Sequence, residues 1–217
     1  MNKPNGLQQQ VTSLYTLTVT GNGKAIAQAN AVQLQIAVIT EGNDVTAAQQ
    51  ENATIMNRVI LSILSLNIPR ENIQTAVYTV SPTYDYIEGK QVFSGFEVTN
   101  VISVKITDIN QVGAVIDTAV QNGANRISSL QFSIENADYY YQQALSLALQ
   151  NAQLKARTIA NTMQLSLHSQ PVEIIEESIS SPPILYKTMA MAEQAVSTPI
   201  EQGQLTISAT VRVKYQY

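Results

Sequence analysis

The feature that most constrains the fold is one long helical pattern, residues 137–167, which places an alanine at every fourth position of its middle part. The alanines are Ala144, Ala148, Ala152, Ala156 and Ala160. Residues four apart share one face of an α-helix, so these small side chains form a ladder along it. Larger apolar residues recur beside the ladder and complete one stripe, namely Tyr141, Leu145, Leu149, Ile159 and Met163. The pattern predicts an amphipathic helix that approaches its partner surface closely.

We expect this helix to cover a sheet, because most of the remaining chain alternates as strands do. Its stripe matches the apolar faces predicted for strands at 92–106 and 130–134. A ladder of small side chains would also suit a helix-to-helix seam between subunits, and both interpretations stay open. Asn136 or Asp138 is expected to cap the first turn.

The whole pattern predicts an α+β protein, with a mostly antiparallel sheet covered by two or three helices in the order ββαββαβαββ. The first strand starts near Tyr15, and Gly21-Asn22-Gly23 is interpreted as a hairpin turn before a return strand that runs to Thr40. The first helix is expected to end near Leu66, and Gly123 is expected to stop the second.

The domain prediction is a flexible leader at 1–12 and one α+β domain at 13–217, with a long loop or arm at 178–203. A loop of that length is unusual in a compact domain. It is also apolar, since it contains Ile184, Leu185, Tyr186, Met189 and Met191. We expect it to fold back as a hairpin or to dock on another chain.

Composition excludes several classes of function. Charged residues make up only 13%, the net charge is -4, and no cysteine is present. The acidic balance argues against nucleic acid, and the missing thiols remove disulfides, thiolate nucleophiles and zinc fingers. No apolar stretch is long enough for a transmembrane helix. The first residues lack the apolar core of a signal peptide, so we expect either a cytoplasmic protein or a mature chain whose signal was removed.

The ionisable residues do not form a catalytic pattern. His168 is the single histidine, so it cannot share a metal with a second one and is interpreted as a surface residue. Glu173, Glu176 and Glu177 form the one acidic cluster, which fits a charged edge strand better than a weak calcium site. We therefore predict no catalytic residue, no metal site, no cofactor and no enzyme activity.

An aromatic patch is predicted where Tyr78, Tyr84 and Tyr86 face Phe93 and Phe96 across a hairpin whose tip is Glu88-Gly89-Lys90. Such a patch would form a contact between subunits or a platform for a small ligand or polymer. The candidate interaction surface combines four of these residues with the apolar loop, as Tyr78, Tyr84, Tyr86, Phe96, Ile184, Leu185, Tyr186, Met189 and Met191.

Residues 15–215 resemble the SIMPL-domain family of bacteria, a family of unknown function. The resemblance rests on the order and spacing of short segments: 19–23, 73–75, Pro82 with Tyr84, 95–96 with Asn100, 123–125, the alanine-rich run 144–160, and Gly203 leading into Val211 and Val213. The chain departs from the family at Asn22, at Asn30-Ala31 and at Gln164-Leu165, where the family has a Leu-Gly after the long helix.

The resemblance implies an exported protein of the periplasm or cell surface, linked in some members to stress, that assembles into a ring- or barrel-like homo-oligomer. It implies no cofactor and no reaction. The first hypothesis is therefore a non-enzymatic, oligomer-forming envelope or stress-associated protein. The alternative is a binding module that uses the aromatic hairpin as its platform.

Overall fold

The computed structural model describes residues 15–177, 184–186 and 198–217. The strands are β1 (Thr16–Gln28), β2 (Ala31–Gly42), β3 (Ile73–Ile87), β4 (Lys90–Ile106), β5 (Arg126–Ser133), β6 (Pro171–Glu176), β7 (Ile184–Tyr186) and β8 (Gln204–Gln216). The helices are α1 (Val45–Leu64), α2 (Val112–Gln121) and α3 (Ala137–Met163), with short 3₁₀ turns at Arg70–Asn72 and Ile109–Gln111. The predicted α+β class with antiparallel sheets is confirmed.

The chain divides into two compact units. One contains the described residues of Met1–Ile26, Asn136–Ile184 and Thr206–Tyr217, and is called the α3 unit. The other contains those of Ala27–Glu135 and Leu185–Leu205, and is called the α1–α2 unit. No helix among the described residues is long and apolar enough to cross a membrane.

The α1–α2 unit contains a sheet in the strand order β3-β4-β2-β5. Alternate residues of β2 point to one face, where Val32, Leu34, Ile36 and Val38 are all fully buried. That face packs in one hydrophobic cluster with residues of α1 and α2, among them Val59 and Val115. Burial of this face against two helices supplies the main stabilisation of the unit.

Helix α1 begins at a conventional cap. The Asp44 carboxylate accepts a hydrogen bond from the Ala47 N–H at 2.8 Å, which satisfies a backbone donor that the first turn leaves free. The helix ends at Leu64, two residues before the predicted Leu66, and Asn67 adopts a left-handed backbone with φ 62°. Asparagine tolerates that conformation and so closes the helix.

The α3 unit contains most of the second sheet, whose strand order is β1-β8-β6. The five ladder alanines are the buried residues of α3. Four of them, Ala144 to Ala156, share a cluster with Val19, Val211 and Val213 of the sheet. The ladder therefore packs on the sheet of its own chain. The expectation that α3 covers strands 92–106 and 130–134 is wrong, because those apolar faces pack in the cluster of α1 and α2.

The interpretation of Gly21-Asn22-Gly23 as a hairpin turn is also wrong. These residues lie inside β1, which runs unbroken to Gln28, and β2 starts only at Ala31. A Cβ added at Gly21 would stand 2.0 Å from the Ala148 carbonyl oxygen, and one at Gly23 would stand 1.9 Å from that of Ala144. The two glycines are thus the surface on which the alanine ladder rests.

Other predicted details differ at the ends of elements. The order of elements contains one strand more than predicted, β7, which lies within the predicted loop at 178–203. Asn136 occupies the N-cap of α3 without a side-chain cap bond, and Asp138 lies in the first turn. Gln164 takes the left-handed conformation that ends the helix, with φ 55°. The predicted leader at 1–12 lies outside the described residues.

Candidate interaction surface

The β3–β4 hairpin extends past the rest of its sheet. β4 pairs with β2 from Ile106 to Phe96, where β2 ends at Gly42. Among the described residues, the remaining part of the hairpin, residues 83–95, is paired only within itself, from Thr83 opposite Gly95 to Ile87 opposite Lys90. Within the described chain this segment, called the ribbon, is two strands wide, and both of its faces are open.

A backbone irregularity marks where the ribbon leaves the sheet. The register of β3 and β4 shifts between Thr83 and Tyr84, opposite Gly95. Gly95 has φ 146°, and a Cβ there would lie 2.9 Å from the Gly42 carbonyl oxygen. Only glycine fits this bulge next to the end of β2.

Three aromatic rings form a row at the base of the ribbon. The ring centroids of Tyr84 and Phe93 are 5.9 Å apart, and those of Phe93 and Phe96 are 5.3 Å apart, both pairs in edge-to-face geometry. Phe96 is half-buried, whereas Tyr84 and Phe93 are exposed. Phe93 belongs to the predicted aromatic patch but not to the candidate interaction surface, and it is the ring that joins the other two.

The remaining candidate tyrosines lie along β3 without a ring contact among the described residues. Tyr78 stands opposite Asn100, and its hydroxyl accepts a hydrogen bond from Gln49 of α1 at 3.4 Å. Tyr86 stands opposite Gln91 and is 77% exposed. Ile87 and Val92 are exposed as well, so the ribbon is apolar almost to its tip.

The structure describes only some of the apolar loop residues of the candidate surface. Ile184, Leu185 and Tyr186 form β7, which pairs with β8. Met189 and Met191 lie outside the described residues. In the hairpin, Phe93 contacts both Tyr84 and Phe96. Tyr78 and Tyr86 lie on β3, the strand that also carries Tyr84.

The ionisable candidates are used in structural contacts. His168 is exposed, and its backbone N–H donates to the Gln216 carbonyl at 2.9 Å. Glu173 lies 3.6 Å from the Lys214 ammonium, Glu177 pairs with Arg212, and Glu176 accepts a hydrogen bond from the Tyr141 hydroxyl. No group of three or more metal-ligating side chains occurs among the described residues.

Helix α3 is flanked by two open clefts. One, of about 430 Å³, lies against β1 and is lined by Val19, Thr20, Leu154, Lys155, Thr158 and Ile159. The other, of about 270 Å³, lies on the β6 side and contains Tyr215. Burial raises the pKa of the Tyr215 hydroxyl, and the positive charge of Arg157 offsets part of that rise. Tyr215 is thus a neutral hydrogen-bond donor rather than a base near pH 7.

Together these features define an α+β protein of two sheet-and-helix units with an exposed aromatic hairpin. The comparison with protein families matches residues 17–215 to SIMPL, described as a protein of unknown function (DUF541). The chain therefore belongs to the SIMPL family, as the resemblance in its sequence indicated.

Two curated relatives cover nearly the whole chain. The 26 kDa periplasmic immunogenic protein of Brucella melitensis is 26% identical over 96% of this chain and 87% of its own length. The uncharacterized protein YggE of Escherichia coli K12 is 24% identical over 92% of this chain and 82% of its own length. At this coverage the similarity includes both units rather than one.

Proposed function

We propose that this protein is a non-enzymatic, oligomer-forming protein of the bacterial envelope, associated with stress, whose copies join through the ribbon. The observation that carries the proposal is the apolar exposure of residues 83–95. A two-stranded ribbon buries little by itself and is marginally stable in water. Exposed aromatic and aliphatic side chains on such a ribbon mark an interaction surface.

The charge of the ribbon supports contact between like copies. Its charged residues are Asp85, Glu88 and Lys90, and the last two lie at the tip. The aromatic row at its base is therefore uncharged, as the core of a protein interface is. Each ring of that row also contacts a neighbour edge to face. A flat ligand needs free ring faces to stack on, so this packing favours a protein partner over the alternative of a ligand platform.

An envelope location is supported by the family and by the printed name of the Brucella relative, which calls that protein periplasmic. The ring- or barrel-like assembly and the role in stress are carried to this chain from the resemblance. The open ribbon supports the proposal of an assembly, whereas the role in stress rests on the resemblance alone.

The test replaces both exposed apolar residues near the ribbon tip, as Tyr86→Ser with Ile87→Ser. Their side chains are 77% and 57% exposed, so folding of a monomer does not depend on them. We expect wild-type protein to sediment as a multiple of the chain mass at micromolar concentration. The double variant should weaken association by about 3 kcal/mol, roughly a hundredfold in dissociation constant, because aromatic anchors dominate interfaces.

A matched control carries Leu61→Ser with Val120→Ser, which removes equally exposed apolar residues from α1 and α2. We expect this control to assemble as the wild type does. A wild-type protein that stays monomeric in light scattering, or a ribbon variant with unchanged mass, would contradict the proposal. A thermal-shift screen against sugars, peptides and lipids tests the alternative of a ligand platform. That alternative requires a compound that raises the melting temperature of the wild type and no longer raises it in Tyr84→Ser.

A further inference from the structure

The two outer edges of the sheet in the α3 unit differ in whether their outward backbone groups have hydrogen-bond partners. At the β1 edge, side chains of α3 bind the backbone groups that point away from the sheet. The Asn22 N–H donates to the Asn151 side-chain oxygen at 3.1 Å, and the Lys155 ammonium donates to the Thr20 carbonyl at 2.7 Å. These bonds occupy the groups that an added strand would need.

Among the described residues, no strand pairs with β6 on the side away from β8. The Glu177 N–H donates to the Thr210 carbonyl of β8 at 2.8 Å, so the odd-numbered residues at this end of β6 face β8. Backbone direction alternates along a strand, and Ile174 and Glu176 therefore face outward. Outside the β6–β8 ladder, no backbone hydrogen bond of these two residues occurs in the described part of the chain.

The side chains of β6 give this edge little protection. Val172, Ile174 and Ile175 are 53%, 55% and 41% exposed. Edge strands are normally kept apart by free charges, but the carboxylates here are already bonded, Glu173 to Lys214 and Glu176 to Tyr141. Within the described residues, β6 is thus an edge strand with exposed apolar side chains and with outward backbone groups that no strand pairs.

We propose that β6 pairs antiparallel with β6 of a second copy about a twofold axis at Ile174. In this register each Ile174 faces its symmetry mate, Glu173 faces the partner's Ile175, and Val172 faces the partner's Glu176. Every carboxylate then stands opposite an apolar side chain. A register centred on Ile175 would instead place Glu173 opposite the partner's Glu177, and like charges directly opposite are destabilising.

This inference rests on the proposed function, because six residues of strand bury far less surface than a stable interface needs. The β6 pair forms between copies that the ribbon already holds near each other, where the effective concentration is high. The ribbon supplies the affinity, and β6 adds a second contact with a fixed register.

The test uses the absence of cysteine in the natural sequence. Ile174→Cys places two thiols directly opposite each other in the proposed pair, with Cα atoms about 5.5 Å apart, within the range for a disulfide. Val172→Cys is the matched control: it is equally exposed, but its symmetry mate lies four residues further along the strand, roughly 14 Å away. Under mild oxidation we expect Ile174→Cys to form a covalent dimer and Val172→Cys to remain a single chain on a non-reducing gel.

The mass of the same samples separates the two proposals. If the protein is an oligomer but Ile174→Cys forms no cross-link, the β6 pairing is overturned. The partner of the β6 edge would then be a strand of another protein, and the proposal that copies join through the ribbon would still stand. Equal cross-linking of both variants shows unspecific collision and also overturns it. A wild-type chain that is monomeric at every concentration overturns the pairing and the proposed function together.

Discussion

Alanine at Gly21 or at Gly23 is expected to give a protein that unfolds at a much lower denaturant concentration, or that fails to accumulate in folded form. The added Cβ would stand about 2 Å from a backbone carbonyl of α3, that of Ala148 for Gly21 and that of Ala144 for Gly23. Backbone cannot rotate away as a side chain can, so the helix must shift off the sheet. We expect a loss of about 3 kcal/mol or more for each variant, at the upper end of overpacking.

The control for this prediction is Gly42→Ala. Its Cβ would meet the Ala48 side chain at 3.4 Å, and we expect it to change the free energy of unfolding by less than about 1 kcal/mol. Urea titrations followed by circular dichroism measure both. If Gly21→Ala and Gly42→Ala unfold at the same urea concentration, helix α3 does not lie as close to β1 as the structure places it.

These glycines show where local sequence patterns mislead. Gly-Asn-Gly is a strong turn signal within a short window. The same glycines also continue an alternation that begins at Leu17 and Val19 and runs through Ala25 and Ala27, which places all six residues on one face of a strand. Small residues on that face match the alanine ladder of α3. The two halves of one contact were present in the sequence, but they lie more than 120 residues apart.

The long helix and the fold class could be predicted because both depend on local periodicity. Helix α3 begins at Ala137, as predicted, and ends at Met163. The sheet that it covers could not be predicted, because β1 and β6 are joined only through β8 at the end of the chain. Strand pairing over such distances leaves no mark in a local window.

The sequence was enough to predict which residues form the candidate surface, but not that they are exposed on an open ribbon. Aromatic side chains at Tyr84 and Phe96 follow from the alternating pattern of a hairpin. Their exposure follows from the point at which β2 ends, at Gly42, and from the bulge at Gly95. The hairpin sequence alone shows neither the end of β2 nor the bulge, since both depend on how β2, a strand from an earlier part of the chain, pairs with the hairpin.

Asn52→Asp is expected to destabilise the α1–α2 unit about as strongly as the glycine variants destabilise the α3 unit. Asn52 of α1 is fully buried, and its amide nitrogen donates to the carbonyls of Val38 at 2.9 Å and Val98 at 3.1 Å. It lies four residues after Ala48 and four before Met56, so it is a polar residue within the buried stripe. Aspartate has nearly the same shape but directs a negative oxygen at those carbonyls.

A buried carboxylate without a donor costs several kcal/mol, and two backbone acceptors lose their partner at the same time, so we expect a loss of about 3–5 kcal/mol. Asn57→Asp is the matched control, since Asn57 is exposed on the same helix and should change stability by less than about 0.5 kcal/mol. Asn52→Leu separates charge from hydrogen bonding. It removes the amide oxygen that has no partner among the described residues, and it adds no charge, so it should cost less than aspartate. Equal urea midpoints for Asn52→Asp and Asn57→Asp would show that residue 52 is not buried between α1 and the sheet.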